Sequence, residues 1–192
     1  MTLQLSFDFR FAWADAKLSF PFVQRGITPE AVSTFLLPRL IGTAKASSVL
    51  LTGDTLSPKS PYVESLYHQI LPTREAVVPA ALDFAHKLAS MTSATSVALT
   101  KALLWHGKDT VEEHHLLDSR AIYHQAKGAD AAEGVAAFKE RRLPKFRSTV
   151  TKDLPSWVPW VSSSFTILAS KSIIIPRSGT SIASCRADLS FE

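Results

Sequence analysis

The sequence predicts an α/β domain that is mainly helical over the length of this chain, and three observations predict it. A segment near the start alternates aromatic and polar residues, as strands do. Several later runs place apolar residues three or four positions apart, as helices do. The chain of 192 residues is also long enough to bury the core of one domain.

The first predicted element is a pair of short strands separated by a turn. Polar residues such as Asp8 and Arg10 alternate with large apolar ones, and the alternation breaks at 14–15. The large apolar residues of this segment are Phe7, Phe9, Phe11, Trp13, Leu18 and Phe20. We therefore expect two strands over 7–20.

From residue 28 onward the pattern is helical. Thr28 is the predicted N-cap of the first helix, Pro29 suits its first turn, and Pro38 with Gly42 is predicted to end it. Asp109 and Glu112 are the predicted capping pair of a later helix. Further helices are expected at about 43–51, 73–89, 95–106, 110–126 and 129–141, with a short helix after 57–61 and a strand at 67–72.

Composition and charge exclude several classes of protein. The net charge of +4 is mild, and Lys and Arg are scattered rather than interleaved with aromatic residues, so no nucleic-acid partner is predicted. No apolar run reaches the length of a membrane span, and the start, MTLQLSFD, has no signal-peptide pattern. The single cysteine, Cys185, fits a reducing compartment and is interpreted as incidental.

One group of titratable residues raises the question of a metal site. His114 and His115 follow two glutamates on a predicted helix, with Asp118 close behind. Adjacent histidines point in different directions on a helix, and the spacing is not that of a helical zinc motif. We predict no metal here.

Glu30 has two competing interpretations. In the segment GITPEAVSTFLLPRLIG it falls in the first turn of the predicted helix, where a carboxylate gains about 0.3–1 kcal/mol from the helix dipole. Its apolar neighbours Ile27, Val32 and Phe35 could instead leave it partly desolvated, as suits a general base. The residues alone leave both interpretations open.

A resemblance to a known family bears on this choice. The segment FDFRFAWADAKLSFPFVQRGITPEAVSTFLLPRLIG resembles the middle of the enoyl-CoA hydratase/isomerase (crotonase) superfamily. ASSVLLTGDTLS is similar to the next helix and turn of that family, and SVALTKALLW, LDSRAIY and EGVAAFKERRLPKF are similar to its C-terminal helices. The resemblance implies a ββα-spiral fold, of which 1–146 would be the C-terminal part, followed by a family-like extension at 147–161 and an atypical Ser/Ile-rich tail at 162–192.

The resemblance also distinguishes between members of the superfamily. Its hydratases use two glutamates, at positions that correspond here to Thr2 and Phe22. The peroxisomal-type Δ3,Δ2-enoyl-CoA isomerases, including fungal ones, instead use one acid in a segment that PFVQRGITPEA matches. Glu30 falls on that acid, and Ala31 stands where the family commonly has Gly. The implied activity is isomerisation, with Glu30 moving a proton from C2 to C4 of a 3-enoyl-CoA.

The same resemblance suggests substrate contacts. Phe20, Phe22, Ile27 and Phe35 are candidate walls of an acyl pocket. Lys139, Arg141 and Arg142 are candidate partners for the CoA phosphates, with a solvated helix end as the alternative. No cofactor is expected, since CoA is part of the acyl-CoA thioester substrate.

An alternative function follows from the start of the chain. In the family, two backbone N–H groups stabilise the thioester enolate, and losing such a donor costs about 10²–10³ in rate. The segments that supply them precede the part of the family that this chain resembles. We therefore also consider a truncated, non-catalytic paralogue that only associates with full-length family members, and, less favoured, hydratase or hydrolase activity on another acyl-CoA.

Partners and location are also implied by the resemblance. The C-terminal helices of the family build trimers and hexamers, so a homo-oligomer is expected. The family serves fatty-acid β-oxidation in peroxisomes and fungal secondary metabolism. The chain ends in LSFE rather than a peroxisomal signal, which makes the cytoplasm the other expected location.

Overall fold

Two short strands, β1 (Phe11–Trp13) and β2 (Gln69–Leu71), pair in parallel in the structure, a computed structural model that describes residues 1–158. Phe11 lies opposite Gln69 and Trp13 opposite Leu71. Two flanking bonds extend the ladder: the His68 N–H donates to the Arg10 carbonyl, and the Ala14 N–H donates to the Leu71 carbonyl, both at 2.8 Å. The strand predicted at 67–72 is confirmed by β2.

The second strand expected within 7–20 is wrong, although the turn at 14–15 is confirmed. Leu18 forms an isolated antiparallel bridge with Leu56, with N–H to oxygen bonds of 2.8 Å in both directions. Phe20 turns into the hydrophobic core. The hydrogen-bonding partner of β1 is β2, far along the chain, so the residues after the turn have no role in that ladder.

The described residues also form three 3₁₀ helices: Thr2–Ser6, Val23–Arg25 and Glu64–Leu66. The first buries Leu5 completely. The second ends at Gly26, whose φ of 70° lies in the left-handed region that glycine adopts without steric cost.

Helix α1 spans Ser33–Ile41, so the predicted start at Thr28 is wrong. Ala31 and Val32 have φ of 51° and 58°. Residues in this left-handed region cannot form part of a right-handed helix, so α1 cannot begin before them at Thr28. The expected end is confirmed at Gly42, whereas Pro38 lies inside the helix.

Helix α2 (Thr43–Thr52) packs against α1. Both helices contribute side chains to the main hydrophobic core. This core comprises Leu5, Phe20, Leu36, Leu37, Ile41, Ala46, Val49, Leu50, Val63 and Leu66.

The remaining helices agree with the sequence-based bounds to within a few residues. They are α3 (Val77–Met91), α4 (Ala94–His106), α5 (Val111–Ala126) and α6 (Ala129–Glu140). The short helix α7 (Val150–Asp153) is not among the predicted elements. The predicted capping pair of α5 is wrong by one residue. Thr110 is the N-cap: its hydroxyl donates to Glu113 Oε2 at 2.9 Å, and its oxygen accepts the Glu113 N–H at 3.3 Å.

The chain divides into two compact units. The first comprises Met1–Ala94 and Gly128–Ser148, and the second comprises, of the described residues, Thr95–Lys127 and 149–158. The whole of the expected tail at 162–192, with Cys185, and the end of the 147–161 extension lie outside the described residues. None of the described helices is long and apolar enough to cross a membrane.

Candidate functional site

Glu30 lies in the loop that precedes α1, and two hydrogen bonds fix its backbone. Its carbonyl accepts the Ser33 N–H at 3.0 Å and the Ser33 hydroxyl at 2.6 Å. Ser33, the first residue of α1, is 0% exposed. The carbonyl of Glu30 is therefore tied to a residue that cannot move without disturbing the core.

The two residues after Glu30 have an unusual backbone conformation. Ala31 and Val32 are both left-handed, and the Val32 carbonyl accepts the N–H groups of Phe35 and Leu36 at 3.0 Å. A β-branched residue in this region is an outlier, and each non-glycine residue held there costs roughly 1–3 kcal/mol. Such strain clusters at functional sites, where it fixes the direction of a side chain.

The Glu30 side chain is exposed, and a threonine holds one of its oxygens. The Thr2 hydroxyl donates to Glu30 Oε1 at 3.0 Å, and Thr2 itself is 8% exposed. Because Glu30 precedes α1, its interpretation as an acid in the first helical turn is wrong. The fold instead brings the hydroxyl of Thr2, a residue that the resemblance aligns with a hydratase glutamate, into contact with the candidate base.

The short helix that bears Thr2 is anchored by Arg10. The Arg10 guanidinium donates to the carbonyls of Leu66 at 2.6 Å, Gln4 at 3.3 Å and Phe7. Burial lowers the pKa of Arg10, and the nearby Tyr67 and Asp8 partly offset that effect. Three carbonyl partners on one cation hold the end of the 3₁₀ helix against the rest of the first unit.

The structure gives the four candidate acyl-pocket residues different surroundings. Phe20 is 1% exposed and belongs to the hydrophobic core, and Phe22 is half-buried against the same core. Ile27 and Phe35 are exposed, and the Arg39 guanidinium lies 3.4 Å from the centre of the Phe35 ring. The Ile27 N–H donates to the Phe22 carbonyl at 3.1 Å, so these two lie at one turn. A role in acyl binding stays a prediction for all four.

The loop that bears Phe20 and Phe22 is fastened to the end of α2. The Ser19 hydroxyl donates to the Gly53 carbonyl at 2.9 Å, and the Gln24 amide donates to the Thr52 carbonyl at 2.7 Å. Gly53 has φ of 69°, and a Cβ there would lie 3.1 Å from the Gln24 side chain. Both the turn and the close approach favour glycine at this position.

The three candidate phosphate-binding cations are also in different settings. Arg142 contacts Glu133 through two nitrogens, at 2.5 and 3.0 Å, and Glu140 at 2.6 Å. A CoA phosphate would have to compete with these carboxylates for Arg142. Lys139 and Arg141 are exposed at the end of α6, and their role stays a prediction.

The histidines considered as metal ligands make local contacts on α5. His114 Nδ1 accepts the Lys108 N–H at 3.2 Å, and its Nε2 lies 3.5 Å from Asp118 Oδ1. Within residues 1–158, no three His, Cys, Asp or Glu residues are grouped so that they could hold a metal ion.

The sequence alone singles out Glu30 but not the residues that support it: Thr2 and Ser33 bond to Glu30 directly, and Arg10 anchors the helix that bears Thr2. Thr2 and Glu30 are 28 positions apart, and no local pattern reports such a contact. The one available signal is the place of Thr2 in the family resemblance, which marks it only as a residue that cannot act as a carboxylate.

Comparisons with known proteins show which family the chain belongs to. A family model described as Enoyl-CoA hydratase/isomerase matches residues 1–149. Over 150 residues the chain is 37% identical to the enoyl-CoA hydratase AFT3-1 of Alternaria alternata, a match that covers 78% of this chain and 51% of that protein. It is 30% identical over 147 residues to the 1,2-epoxyphenylacetyl-CoA isomerase of Escherichia coli, covering 76% of this chain and 55% of that protein.

Solved structures give the same result for the fold. A probable enoyl-CoA hydratase/isomerase from Mycobacterium abscessus superposes with a TM-score of 0.72 at 35% identity, covering 78% of this chain and 58% of that one. The predicted crotonase fold is thereby confirmed, and the described part of the chain is mainly helical. The chain belongs to the enoyl-CoA hydratase/isomerase family. It spans about half the length of the curated relatives that it matches.

Proposed function

We propose that this chain acts on acyl-CoA thioesters as a Δ3,Δ2-enoyl-CoA isomerase of the peroxisomal type, with Glu30 as the base. The observation that supports this most is the position of Glu30. Its exposed carboxylate sits on a strained loop, with its backbone tied to buried Ser33 and one oxygen bound by Thr2.

The side chains at the two positions that correspond to the hydratase glutamates favour isomerisation over hydration. Hydration by the family's paired-acid route needs two groups that exchange protons near neutral pH. At the two corresponding positions this chain has Thr2 and Phe22, a hydroxyl and a hydrocarbon. A shift of the double bond needs one carboxylate that first accepts and then returns a proton.

In the proposed reaction Glu30 alone can carry the proton in both steps. The carboxylate removes a proton from C2 of a 3-enoyl-CoA, and the electron pair delocalises over the double bond and the thioester oxygen as a dienolate. The same proton returns at C4, which places the double bond between C2 and C3. The negative charge that develops on the thioester oxygen requires hydrogen-bond donors in addition to Glu30.

Hydration of a 2-enoyl-CoA is the second candidate, because several relatives bear that name, including the Alternaria alternata protein. It would require a second proton-exchanging group close to Glu30. Nothing in the comparisons favours the other alternative, a non-catalytic chain that acts only by association. The pathway and the compartment stay predictions.

The test is an isomerisation assay with a matched control. Purified chain receives a 3-enoyl-CoA, and the absorbance of the conjugated 2-enoyl thioester is followed for wild type, Glu30→Gln and Glu75→Gln. Loss of a general base costs about 10²–10⁴ in rate, so E30Q should lose at least about 100-fold. Glu75 is an exposed acid elsewhere, and E75Q should match wild type. Equal turnover by wild type and E30Q would refute the proposal.

A further inference from the structure

The contact between Thr2 and Glu30 points to a role for a residue that has no proton-transfer chemistry of its own. We propose that Thr2 is a positioning residue: its hydroxyl fixes the rotamer of Glu30 so that the free carboxylate oxygen faces the substrate. This inference rests on the proposed function, because it assigns Thr2 a part in the reaction of Glu30.

The hydrogen bond selects one oxygen of the carboxylate. A threonine hydroxyl has one proton to donate, and here it goes to Oε1 at 3.0 Å. Oε2 is then the oxygen that receives the substrate proton. With the carboxylate rotated, the reacting oxygen would move by more than the tolerance of about 0.5 Å that productive geometry allows.

Thr2 has less conformational freedom than the residue it holds. It is nearly buried, and its β-branched side chain strongly prefers few χ1 rotamers. The helix that bears it is anchored by buried Leu5 and by the three carbonyl contacts of Arg10. Glu30, by contrast, is an exposed side chain with much rotamer freedom to lose. The hydrogen bond to Thr2 therefore restricts the rotamers that the Glu30 side chain can adopt.

The backbone of Glu30 is held in place as well, so its side chain starts from a fixed point. Ser33 holds its carbonyl, and the left-handed pair Ala31 and Val32 sets the direction of the loop. Backbone restraint alone leaves the side-chain torsions of Glu30 unrestricted. The Thr2 hydroxyl is the contact among the described residues that acts on the carboxylate itself.

The inference predicts a change in kcat with little change in KM. In Thr2→Val the shape is kept and the hydroxyl is lost, and loss of a hydrogen bond to a charged group should lower kcat roughly 10- to 100-fold. KM should stay within about twofold, because Thr2 touches the base rather than the acyl chain. Thr2→Ser keeps the hydroxyl and should restore kcat to within about threefold of wild type.

The experiment compares T2V, T2S and T2A with E30Q and the surface control Thr73→Val in the isomerase assay. A fall in kcat for T2V and T2A that T2S does not share is the expected result. Wild-type kcat in T2V, with E30Q inactive, would overturn the role of Thr2 and leave the proposed function intact. Full activity in E30Q would overturn both. T2A provides the same comparison if T2V does not fold.

A second readout covers the case in which the purified chain shows no turnover. The side-chain carboxyl carbon of Glu30 is observed by ¹³C NMR in labelled protein and assigned through its loss in E30Q. The signal should shift in T2V and T2A and return in T2S, with T73V unchanged. An identical signal in wild type and T2V would show that the hydroxyl does not hold Glu30, and would overturn the inference without any activity measurement.

Discussion

Ala31 and Val32 hold a left-handed backbone directly after Glu30, which is an expensive conformation for two residues in succession. Neither has the short polar side chain that makes this region tolerable for Asn or Asp. The conformation sets where the loop turns and therefore where the Glu30 side chain begins. We interpret the strain as a cost that the loop bears in order to present this side chain.

Relief of that strain is the first prediction at this scale. Ala31→Gly should raise the free energy of unfolding by about 0.5–1 kcal/mol. The left-handed region costs an alanine roughly 1–2 kcal/mol, which glycine avoids. The greater entropy of glycine in the unfolded chain offsets part of that stabilisation. Urea unfolding of the variant beside wild type measures it. Ala85→Gly, inside α3, is the control and should lower the same quantity by about 1 kcal/mol. Equal destabilisation of both variants would contradict the strain at Ala31.

At the scale of elements, a set of carboxylates ties α6 to the segment that follows it. Glu133 accepts two bonds from Arg142 and the Lys145 N–H at 2.7 Å. Asp130 Oδ1 accepts the N–H groups of Arg147 at 2.9 Å and Ser148 at 3.2 Å. Each carboxylate thus binds backbone beyond the end of the helix.

These contacts predict how stability depends on pH. Hydrogen bonds from Arg142 and the Lys145 N–H lower the pKa of Glu133 from 4.5 to about 2. For Asp130, burial acts to raise the pKa, but the hydrogen bonds from Arg147, Ser93 and Ser148 outweigh it and lower the pKa. A carboxyl whose pKa is lower in the folded chain contributes stability above its unfolded pKa, and that contribution is lost as the pH falls toward the folded value.

Glu133→Gln isolates this contribution. Wild type should lose stability between about pH 4.5 and pH 2, and E133Q should lose less over the same interval because the group that titrates is gone. Urea midpoints at several pH values measure the difference, with E75Q as an exposed control that keeps the wild-type profile. The same acid dependence in E133Q as in wild type would exclude Glu133 as a source.

The sequence predicted the regular elements well and their connections less well. Local sequence signals placed α2 through α6 to within a few residues. For α3 the signal was the helical spacing of apolar residues, because an amphipathic face is a local property. The start of α1 was misplaced because Thr28 and Pro29 form a good N-terminal signal, which the left-handed Ala31 and Val32 override. Nothing in the type of either residue favours that conformation.

Local sequence patterns do not predict contacts between segments that are far apart in the chain. The parallel pairing of β1 with β2 and the bond between Thr2 and Glu30 both depend on how the first unit packs. The family resemblance supplied Glu30 itself, and the structure supplied its partner. The candidate base was thus predictable from the sequence, whereas the group that positions it was not.

At the scale of the whole molecule, the second unit presents apolar side chains to solvent. Leu104 on α4 and Leu116 and Ile122 on α5 are 81%, 70% and 69% exposed. A cavity of about 510 Å³ lies between the same two helices, with Leu99, Leu103 and Ile122 in its wall. Exposed apolar surface of this kind marks an interaction site more often than ordinary surface. The homo-oligomer that the resemblance implies is expected to cover this surface with a second copy of the chain.

Self-association through this surface is testable by mass measurement. Light scattering after gel filtration should give an oligomer for wild type and a smaller species for Leu116→Glu, since burying an unpaired carboxylate is costly. Lys59→Glu changes an exposed residue of the first unit and should leave the mass unchanged. A monomeric wild type, or equal masses for wild type and L116E, would exclude this surface as the contact.

The measurement that tests the central claim most directly is product analysis by NMR after incubation of a 3-enoyl-CoA with the chain in D₂O. The account predicts that wild type and T73V form the conjugated 2-enoyl thioester without a 3-hydroxyacyl product, and that E30Q forms neither. A 3-hydroxyacyl-CoA made from the 2-enoyl thioester by wild type would contradict isomerisation. Undiminished formation of the 2-enoyl product by E30Q would contradict Glu30 as the base.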